Sequence, residues 1–458
     1  MHDNDYKHKL PVLKMIKIHG VGGFDEVGKN MAAIEYGNDV MLCDAGMYLP
    51  ALVSVSERDK IPTESGMRAI GALPNDHYLD EKNLRNKVRA LLISHGHLDH
   101  VGAVPYLGHR YAKAGVYGTP YTLEVLKTLM PEGKTLPNRL NYIKPDGKAL
   151  IKGDGKYEVE FINMTHSTLQ CSMIAVHTPD GVVLYANDYK LDNTPVMGDK
   201  PNYKRLKELS REGVKALIVN CLYAHAERKT PSEKIARGLL EDVMFTTENH
   251  NSGLIITTFA SHIARLKSIV EFGNKLGREV IFVGRSLAKY TSAADKIHQL
   301  PFKNRITIAA YAKHKEKILK KVNSDRSKYL IVCTGHQGES GAVLDRISRN
   351  QMPFRLQEND HIIFSSKTIP TPVNLAAKSD LQERLKKFKP RIFDNVHVSG
   401  HGAKEDLRDL IKLTNPEHVI PAHGDHSKTI AGMDLSVEMG YKKDYNVHLL
   451  SNSEGIEI

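Results

Sequence analysis

The chain has 458 residues, of which 41% are hydrophobic and 26% charged, and its formal net charge is +11. The length predicts roughly two or three domains, and the composition is typical of a soluble globular protein. No apolar run approaches the roughly eighteen residues of a membrane span, and no CxxC pair occurs, so a membrane-spanning protein and a disulfide framework are excluded. The positive charge favours a polyanionic partner such as nucleic acid, although lysine also serves solubility.

Strand-like and helix-like segments alternate along the chain, which predicts the α/β class. The helix-like stretches include 261–277 and 286–300, where apolar residues recur at helical spacing. In TPSEKIARGLLEDV, Thr230 and Glu233 predict a capping box, with Pro231 at the first helical position. Short runs rich in Val and Ile predict strands at 40–46, 90–96, 182–188, 216–221, 254–260, 279–285, 329–335, 361–366, 395–401 and 418–424.

The middle of the chain differs from its surroundings. Residues 254–335 repeat strand, helix and strand at intervals typical of a parallel doubly wound sheet, whereas 12–188 has closer strands and glycine turns. We therefore predict an α/β domain at 229–375, inserted into a first domain formed by 1–228 and 376–458. The N-terminal sequence MHDNDYKHKLPVLKM is polar and lacks the apolar stretch of a secretory signal, so we expect a cytoplasmic protein.

The segment HGHLDH directly follows one predicted strand and concentrates four metal-binding side chains, His95, His97, Asp99 and His100. Imidazole nitrogens and carboxylate oxygens are zinc ligands. The spacing lets the first two side chains face one ion and the last two face another, and a pair of ions can clamp a phosphoryl group. Because no cysteine lies nearby, an open catalytic site is favoured over a closed structural one.

Further ligand candidates stand at the ends of other predicted strands. They are His166, Asp188, His423 and Asp44. Each is a weak signal alone, because an aspartate at a strand end commonly forms a turn. Their shared position at strand ends supports the assignment, because ligand sites of α/β folds form where strands end.

A series of motifs covers nearly the whole chain. In order, they include GGFDEVGKNMAAIEYG, CDAGMYLP, HGHLDHVGAVPYL, THST, YANDYKLD, RKTPSEK, TFASHIARL, CTGHQGES, HVSGHG and PAHGD. Together they resemble the β-CASP nucleases of the metallo-β-lactamase superfamily, and most closely the ribonuclease J family in its shorter, archaeal form. The resemblance implies an αββα metallo-β-lactamase sandwich with an inserted β-CASP α/β domain.

The resemblance also implies two Zn²⁺ ions per chain, with Mn²⁺ or Mg²⁺ as substitutes. Asp44 would orient a ligand histidine, His401 would donate a proton to the leaving oxygen, and Asp99 would also steer the attacking water. The implied ligands are His95, His97 and His166 for the first ion, Asp99, His100 and His423 for the second, and Asp188 between them.

A pocket for the 5′-phosphate of RNA is implied next to the metal ions. For Ser261, helix capping is an equal alternative, and the glycine-rich loop at 334–340 is an alternative simple turn. A fixed distance from this pocket to the ions would give 5′-to-3′ exonuclease action from a monophosphate end. The candidate residues are Ser261, Arg265, Gly335, His336, His397, Ser399 and His401.

One position departs from the family pattern. Asn220 stands where an acidic residue is expected at the end of the strand before RKTPSE. Asparagine keeps the shape of that side chain and loses its charge, so a catalytically weakened RNA-binding protein is the alternative to an active enzyme.

The predicted function is zinc-dependent degradation of single-stranded RNA, with endonuclease cleavage as a second activity. The implied partners are a second copy of the chain and RNA-decay proteins such as a helicase. Two rivals are a lactonase-type hydrolase, which needs no basic groove or insert, and a 3′-end-processing or DNA-acting nuclease of the same superfamily.

Overall fold

The computed structural model describes residues 15–53 and 63–458. Residues 1–14, whose polarity argued against a secretory signal, lie outside these ranges. None of the described helices combines the length and apolar character that crossing a bilayer requires.

The described elements follow the predicted alternation of strands and helices. The strands are β1 (Ile16–Gly22), β2 (Met31–Tyr36), β3 (Asp39–Cys43), β4 (Val88–Ile93), β5 (Gly115–Gly118), β6 (Leu140–Tyr142), β7 (Gly147–Lys152), β8 (Lys156–Asn163), β9 (Ser172–Thr178), β10 (Gly181–Ala186), β11 (Val214–Asn220), β12 (Leu254–Thr257), β13 (Glu279–Val283), β14 (Ile306–Ala309), β15 (Tyr329–Cys333), β16 (His361–Phe364), β17 (Arg391–Phe393), β18 (His418–Ala422) and β19 (Glu454–Glu457). The helices are α1 (Pro50–Val53), α2 (Glu64–Ala69), α3 (His77–Glu81), α4 (Leu98–Val101), α5 (Val104–Leu107), α6 (Pro120–Leu129), α7 (Tyr203–Glu212), α8 (Glu233–Thr246), α9 (Ile263–Lys275), α10 (Arg285–Lys296), α11 (Ala312–Ser324), α12 (Val343–Ser348), α13 (Pro372–Lys386), α14 (Lys404–Thr414) and α15 (His426–Glu438).

Two sheets pack face to face. The first has the order β19-β1-β2-β3-β4-β5-β6 and the second the order β18-β11-β10-β9-β8-β7. Side chains alternate between the faces of a strand. In β4, Ala90 and Leu92 enter the core between the sheets, while Leu91 and Ile93 pack against the outer helices. Because α7, α14 and α15 cover the outer face of the second sheet, the predicted αββα sandwich is confirmed.

The third sheet is an insertion into the second. The chain leaves the second sheet after β11 and returns as β18, and these two strands are parallel neighbours. Between them, the third sheet is parallel throughout, with the order β14-β13-β15-β12-β16-β17. Helices cover both of its faces. The inserted α/β unit is therefore confirmed, and the exact boundaries at 228 and 375 stay predictions.

The inserted unit shares a core with the sandwich. Tyr121 and Val125 of α6 and Leu169 of the loop before β9 belong to the same buried cluster as Ile263 and Leu266 of α9. Burial of apolar side chains on both sides of a junction holds the two parts in one relative position. The cleft between them therefore has firmly placed walls.

Two local predictions are wrong. Residues 395–401, NVHVSGH, form a loop rather than a strand, and Asn395 has a left-handed backbone with φ +61°. Two carbonyl groups of this loop accept hydrogen bonds from side chains instead of from a neighbouring strand. Ser365 Oγ donates to Val396 O, and His166 Nδ1 donates to Gly400 O. The capping box at Thr230 is also wrong, because the N-cap of α8 is Ser232.

A buried carboxylate ties the two sheets of the sandwich together at one edge. Asp39 Oδ1 accepts hydrogen bonds from Arg89 Nε at 2.6 Å and Asp154 N at 3.0 Å. Its Oδ2 accepts from Gly155 N at 2.8 Å and the Tyr157 hydroxyl at 3.0 Å. Burial raises the pKa of Asp39, but these hydrogen bonds outweigh burial and hold the pKa below its ordinary value of 3.8.

We expect Asp39→Asn to lower the free energy of unfolding by about 2 kcal/mol at neutral pH, because it weakens a charged acceptor of four hydrogen bonds. A depressed pKa stabilises the fold above the unfolded value of 3.8, and this contribution is lost as pH falls through the folded value. Urea unfolding should therefore show a gap to wild type that shrinks in acid. Asp154→Asn, which changes a half-exposed side chain nearby, is the control; an equal gap at all pH values would contradict the prediction.

Candidate metal centre and its cleft

The loops that follow β3, β4 and β18 meet at one end of the sandwich. His97 stands at the N-cap position of α4, so HGHLDH forms a loop that enters a short helix. Gly46 must be a glycine here, because a Cβ atom would lie 1.6 Å from the carbonyl oxygen of Asp99. Asp44 and His423 have left-handed backbones, with φ +63° and +56°. Such strained backbones persist where the surrounding structure holds them, and they are common at functional sites.

One group of predicted ligands surrounds a single point. His97 Nδ1 lies 3.1 Å from both His95 Nε2 and His166 Nε2. Asp188 Oδ2 lies 3.5 Å from His95 Nε2 and 3.2 Å from His166 Nε2. The donor atoms of these side chains are close enough to hold one metal ion.

A second group shares Asp188 with the first. His100 Nε2 lies 3.5 Å from Asp99 Oδ2 and 3.3 Å from Asp188 Oδ2. His423 Nε2 lies 3.8 Å from Asp99 Oδ2. The donor atoms of this group can also hold one metal ion, with Asp188 placed between the two groups. The structure thus brings all seven predicted ligands together.

Each ligand histidine has a partner for its outer ring nitrogen, an arrangement that fixes ring orientation and proton position in metal sites. Three of these partner atoms, the oxygens of Asp44, Gly400 and Asn30, can only accept, so the histidine nitrogen donates. The outer contacts are His100 Nδ1 to Asp44 Oδ2 at 2.7 Å, His166 Nδ1 to Gly400 O at 2.7 Å, His423 Nδ1 to Asn30 Oδ1 at 3.0 Å, His95 Nδ1 to Ser94 Oγ at 3.0 Å and His97 Nε2 to Ser261 Oγ at 3.0 Å. Asp44 therefore orients a ligand histidine from outside the cluster.

The chemistry of the donor set fits a divalent cation. Asp188 Oδ2 is buried and has no hydrogen-bond partner within the described residues. A neutral His166 whose Nδ1 donates outward turns the lone pair of Nε2 toward this oxygen, 3.2 Å away. A lone pair facing a carboxylate in a buried site is unfavourable unless a cation lies between them.

The charges of the site point the same way. Burial and the neighbouring imidazoles hold the pKa values of His95 and His97 well below their ordinary range, which keeps both rings neutral as metal ligands require. Burial also acts to lower the pKa of His100, but the carboxylates of Asp188 and Asp99 outweigh it and raise the pKa. The negative charge of these carboxylates therefore favours the binding of a cation at this point.

Asn220, at the end of β11, sets the proton position on His401. Its Nδ2 donates to Asp188 Oδ1 at 2.8 Å, and its Oδ1 accepts from Leu222 N at 2.9 Å. These two contacts fix the orientation of the amide, because the carboxylate only accepts and the backbone N–H only donates. Nδ2 also faces His401 Nδ1 at 3.2 Å, so Nδ1 must accept and the proton of a neutral His401 lies on Nε2.

Thr230 supports His401 from the inserted unit. Its hydroxyl donates to the carbonyl oxygen of His401 at 2.8 Å, and its backbone N–H donates to Asp406 Oδ2 at 2.7 Å. These contacts explain why Thr230 does not cap α8. Burial lowers the pKa of His401 to about 3, although Asp188 opposes this shift.

A cleft of about 260 Å³ opens from the metal centre toward the ends of the strands of the third sheet. His336 lies in its wall, and both of its ring nitrogens are buried without a partner among the described residues. Phe259 packs on the ring with 4.2 Å between centroids. Burial lowers the pKa of His336 to about 3, so the ring is neutral. The predicted phosphate residues that line this cleft are Ser261, His336, His397, Ser399 and His401.

Arg265 and Gly335 do not line the cleft. The guanidinium of Arg265 is fully buried and donates to both carboxylate oxygens of Glu233, at 2.6 and 2.8 Å. Its Nη1 lies 3.3 Å from His397 Nδ1. Arg265 is therefore corrected from a phosphate ligand to a residue that holds His397. Gly335 has a φ of +112°, which glycine adopts without strain, so it shapes the turn that presents His336.

Sequence reasoning missed three residues of the site. Asn30 donates to Asp99 O at 3.0 Å besides contacting His423, and Ser94 donates its hydroxyl to Asp44 Oδ2 at 2.9 Å. Tyr223 lines the cleft, and the ammonium of Lys367 lies 5.1 Å from its ring centroid. The position of Ser94 directly before HGHLDH was an available signal, whereas the contacts of Asn30 and Tyr223 depend on tertiary structure.

Comparison with known proteins matches three family models to consecutive parts of the chain. They are the metallo-beta-lactamase superfamily at residues 25–218, the ribonuclease J beta-CASP domain at 251–379 and the Zn-dependent metallo-hydrolase RNA specificity domain at 386–449. Among solved structures, a protein of unknown function from Enterococcus faecalis V583 has a TM-score of 0.63 at 16% identity. It covers 97% of this chain and 100% of its own, and the likeness shows the fold alone.

Two curated relatives are similar over nearly their full length. Ribonuclease J of Pyrococcus abyssi is 40% identical over 448 residues, which are 97% of this chain and 98% of that protein. Ribonuclease J of Methanocaldococcus jannaschii is 40% identical over 442 residues, with 96% and 98% covered. With its metal-binding sandwich, inserted β-CASP domain and RNA specificity domain, the chain belongs to the ribonuclease J family, whose members are metal-dependent ribonucleases.

Proposed function

We propose that this protein degrades single-stranded RNA from its 5′ end, one nucleotide at a time, with a preference for a 5′-monophosphate. The observation that carries the proposal is His336, whose ring nitrogens are buried and unpartnered in the described chain and which lines the same cleft as the metal centre. Buried polar atoms without a protein partner indicate a ligand. A terminal phosphate supplies acceptors for such donors.

The proposed metal content is two zinc ions, with manganese or magnesium as substitutes. When bound, they would supply a water of lowered pKa and neutralise charge on the scissile phosphate. The residues that would hold them are His95, His97 and His166 on one side, Asp99, His100 and His423 on the other, and Asp188 between. Asp99, which lines the cleft, would also orient the attacking water.

His401 is the proposed general acid. The oxygen of water, one proton of which would pass to the solvent, forms a bond to phosphorus while the bond from phosphorus to the 3′ oxygen of the first nucleotide breaks. That 3′ oxygen would take the Nε2 proton of a protonated His401, which becomes neutral, and would leave as a hydroxyl, and the new 5′-phosphate stays on the shortened strand. The nucleotide on the His401 side is therefore the one released, and His397 and Ser399, which line the same cleft as His401, would contact its own 5′-phosphate.

This mechanism predicts the products of an end-group assay. With zinc and matched 3′-labelled RNAs, the monophosphate RNA should shorten stepwise, and the triphosphate and hydroxyl RNAs should shorten much more slowly. His97→Ala is the blank, because it removes a predicted metal ligand. Internal cuts that ignore the 5′ end would instead favour the endonuclease activity and contradict the pocket.

His336 should carry much of the end preference. We expect His336→Ala to reduce the monophosphate-over-hydroxyl ratio of kcat/KM by roughly 10- to 100-fold, the effect of losing one hydrogen bond to a charged group. The ratio is measured on the same two RNAs. Cleavage of the hydroxyl RNA serves as the internal control for the metal centre. An unchanged ratio would remove His336 from the pocket.

The second candidate function is an RNA-binding protein of weakened catalysis, and Asn220 is the observation that favours it. Its amide faces His401 Nδ1 as a donor, so position 220 adds no negative charge to that of Asp188 to stabilise a protonated His401. We expect Asn220→Asp to raise kcat by roughly tenfold and to move the alkaline limb of the pH profile upward, because a carboxylate raises the pKa of an adjacent histidine. The measurement is single-turnover cleavage across pH, with Asn220→Ala as the control. A wild-type protein that shifts RNA on a gel, cuts nothing and is activated by Asn220→Asp would establish this candidate.

The remaining assignments come from family resemblance. We propose a homodimer, an association with RNA-decay proteins such as a helicase, and a cytoplasmic location. The net charge of +11 agrees with an RNA partner, since phosphate neutralisation dominates nucleic-acid affinity.

A further inference from the structure

Among the five ligand histidines, His97 has a distinctive outer partner. The outer nitrogens of His95, His100, His166 and His423 contact residues of the sandwich or of the loop that returns to it. His97 Nε2 instead contacts Ser261 Oγ of the inserted unit at 3.0 Å. Ser261 lies in the turn between β12 and α9, and it does not cap α9, because the helix begins at Ile263 after His262.

The inner nitrogen of His97 determines where its proton lies. His97 Nδ1 faces His95 and His166, so it is the atom that would hold a metal ion. A neutral imidazole that coordinates through Nδ1 carries its proton on Nε2. His97 then donates to Ser261 Oγ, and the hydroxyl proton of Ser261 must point elsewhere.

Ser94 is a serine in the same position beside a ligand histidine, and the Ser94 hydroxyl has both of its hydrogen-bond partners. It stands beside His95 Nδ1 as Ser261 stands beside His97 Nε2, but the Ser94 hydroxyl donates onward to Asp44 Oδ2 at 2.9 Å. In the part of the chain that the structure describes, Ser261 makes no such second hydrogen bond. Ser261 is only 5% exposed, and it lines the cleft beside His336.

We propose that Ser261 is a positioning residue that couples metal binding at His97 to recognition of a phosphate in the cleft. With metal bound, His97 donates to Ser261, and the hydroxyl proton of Ser261 is directed into the cleft, where a terminal phosphate oxygen accepts it. Without metal, His97 Nε2 becomes free to accept, and Ser261 turns its proton toward it and away from the cleft. This inference rests on the proposed 5′-phosphate pocket.

The surroundings of Ser261 confine the switch to a rotation of its hydroxyl. The shared core of Tyr121, Val125 and Ile263 holds the inserted unit against the sandwich. The inserted unit also contacts the metal-site loop directly, because the hydroxyl of Tyr290 on α10 donates to the carbonyl oxygen of Gly96 at 3.5 Å. Gly96 stands between His95 and His97 in the sequence. The distance from Ser261 to His97 therefore does not depend on a movement of the backbone.

Coupling between two sites is reciprocal, which supplies two independent readouts. The first is the affinity ratio of a 5′-monophosphate RNA over the same RNA with a 5′-hydroxyl, both with phosphorothioate linkages at the first positions to slow cleavage. The ratio is measured with zinc and after chelation. Chelation removes the attraction between the zinc charge and the RNA backbone equally for both RNAs. The affinity ratio therefore reports only the contribution of the 5′ end group. The second readout is zinc affinity by competition with a chelator, with and without the monophosphate RNA.

In wild type, we expect zinc to raise the end-group ratio by roughly tenfold, and the monophosphate RNA to tighten zinc binding by the same factor. Ser261→Ala should show the same ratio with and without zinc, and one of its zinc ions should bind roughly 10- to 100-fold more weakly. Ser261→Thr keeps the hydroxyl and should retain the coupling. Ser292→Ala removes an exposed hydroxyl of α10 that does not line the cleft and should behave as wild type.

A monophosphate preference in wild type that does not depend on zinc would overturn the coupling and leave the proposed pocket intact. Zinc dependence that persists in Ser261→Ala would overturn the role of Ser261. A wild-type protein that does not distinguish the two RNAs under either condition would overturn the proposed pocket, and the coupling with it.

Discussion

The buried oxygen Oδ2 of Asp188 constrains the whole metal centre. This oxygen makes no hydrogen bond within the described residues, although the Nε2 atoms of His95, His100 and His166 lie within 3.5 Å of it. A bare carboxylate oxygen in a buried site is costly, and a cation removes that cost. The surrounding partners, from Asp44 to the carbonyl of Gly400, turn the imidazole nitrogens toward the same point. The site therefore resembles an organised ligand cage in which the protein has already fixed the ring orientations.

The two parts of the molecule contribute different chemistry. The sandwich supplies the predicted metal ligands, whereas the inserted unit supplies Thr230, Ser261 and His336 around the cleft. Because the chain leaves the second sheet after β11 and returns at β18, the insertion begins beside Asn220 and ends close to His401 and His423. The connectivity of the fold thus places the inserted unit over the metal centre without long linkers. A shared apolar core then keeps both sets of side chains in register.

Asn220 illustrates how one atom of a side chain affects the electrostatics of the site. The amide occupies the position expected for an acid, and it donates to Asp188 Oδ1 and faces His401 Nδ1 as a donor, which a carboxylate could not do. Besides leaving His401 with Nδ1 as an acceptor, this exchange removes a negative charge from beside Asp188. Two neighbouring carboxylates repel each other, so the amide spares Asp188 this repulsion. It also provides less stabilisation to a protonated His401 than a carboxylate would.

The sequence by itself determined the class of the fold and the candidate ligands that the structure brings together. HGHLDH packs four donors into one loop, and the remaining donors stand at strand ends, so local spacing and the sandwich topology bring them together. Only the tertiary structure decided the roles of the residues that surround these ligands. Glu233 and Arg265 satisfy each other, Thr230 supports His401, and residues 395–401 form a loop, because contacts between residues distant in sequence override local patterns. The direction of the Ser261 hydroxyl is of the same kind, since it depends on a histidine 164 residues away in the chain.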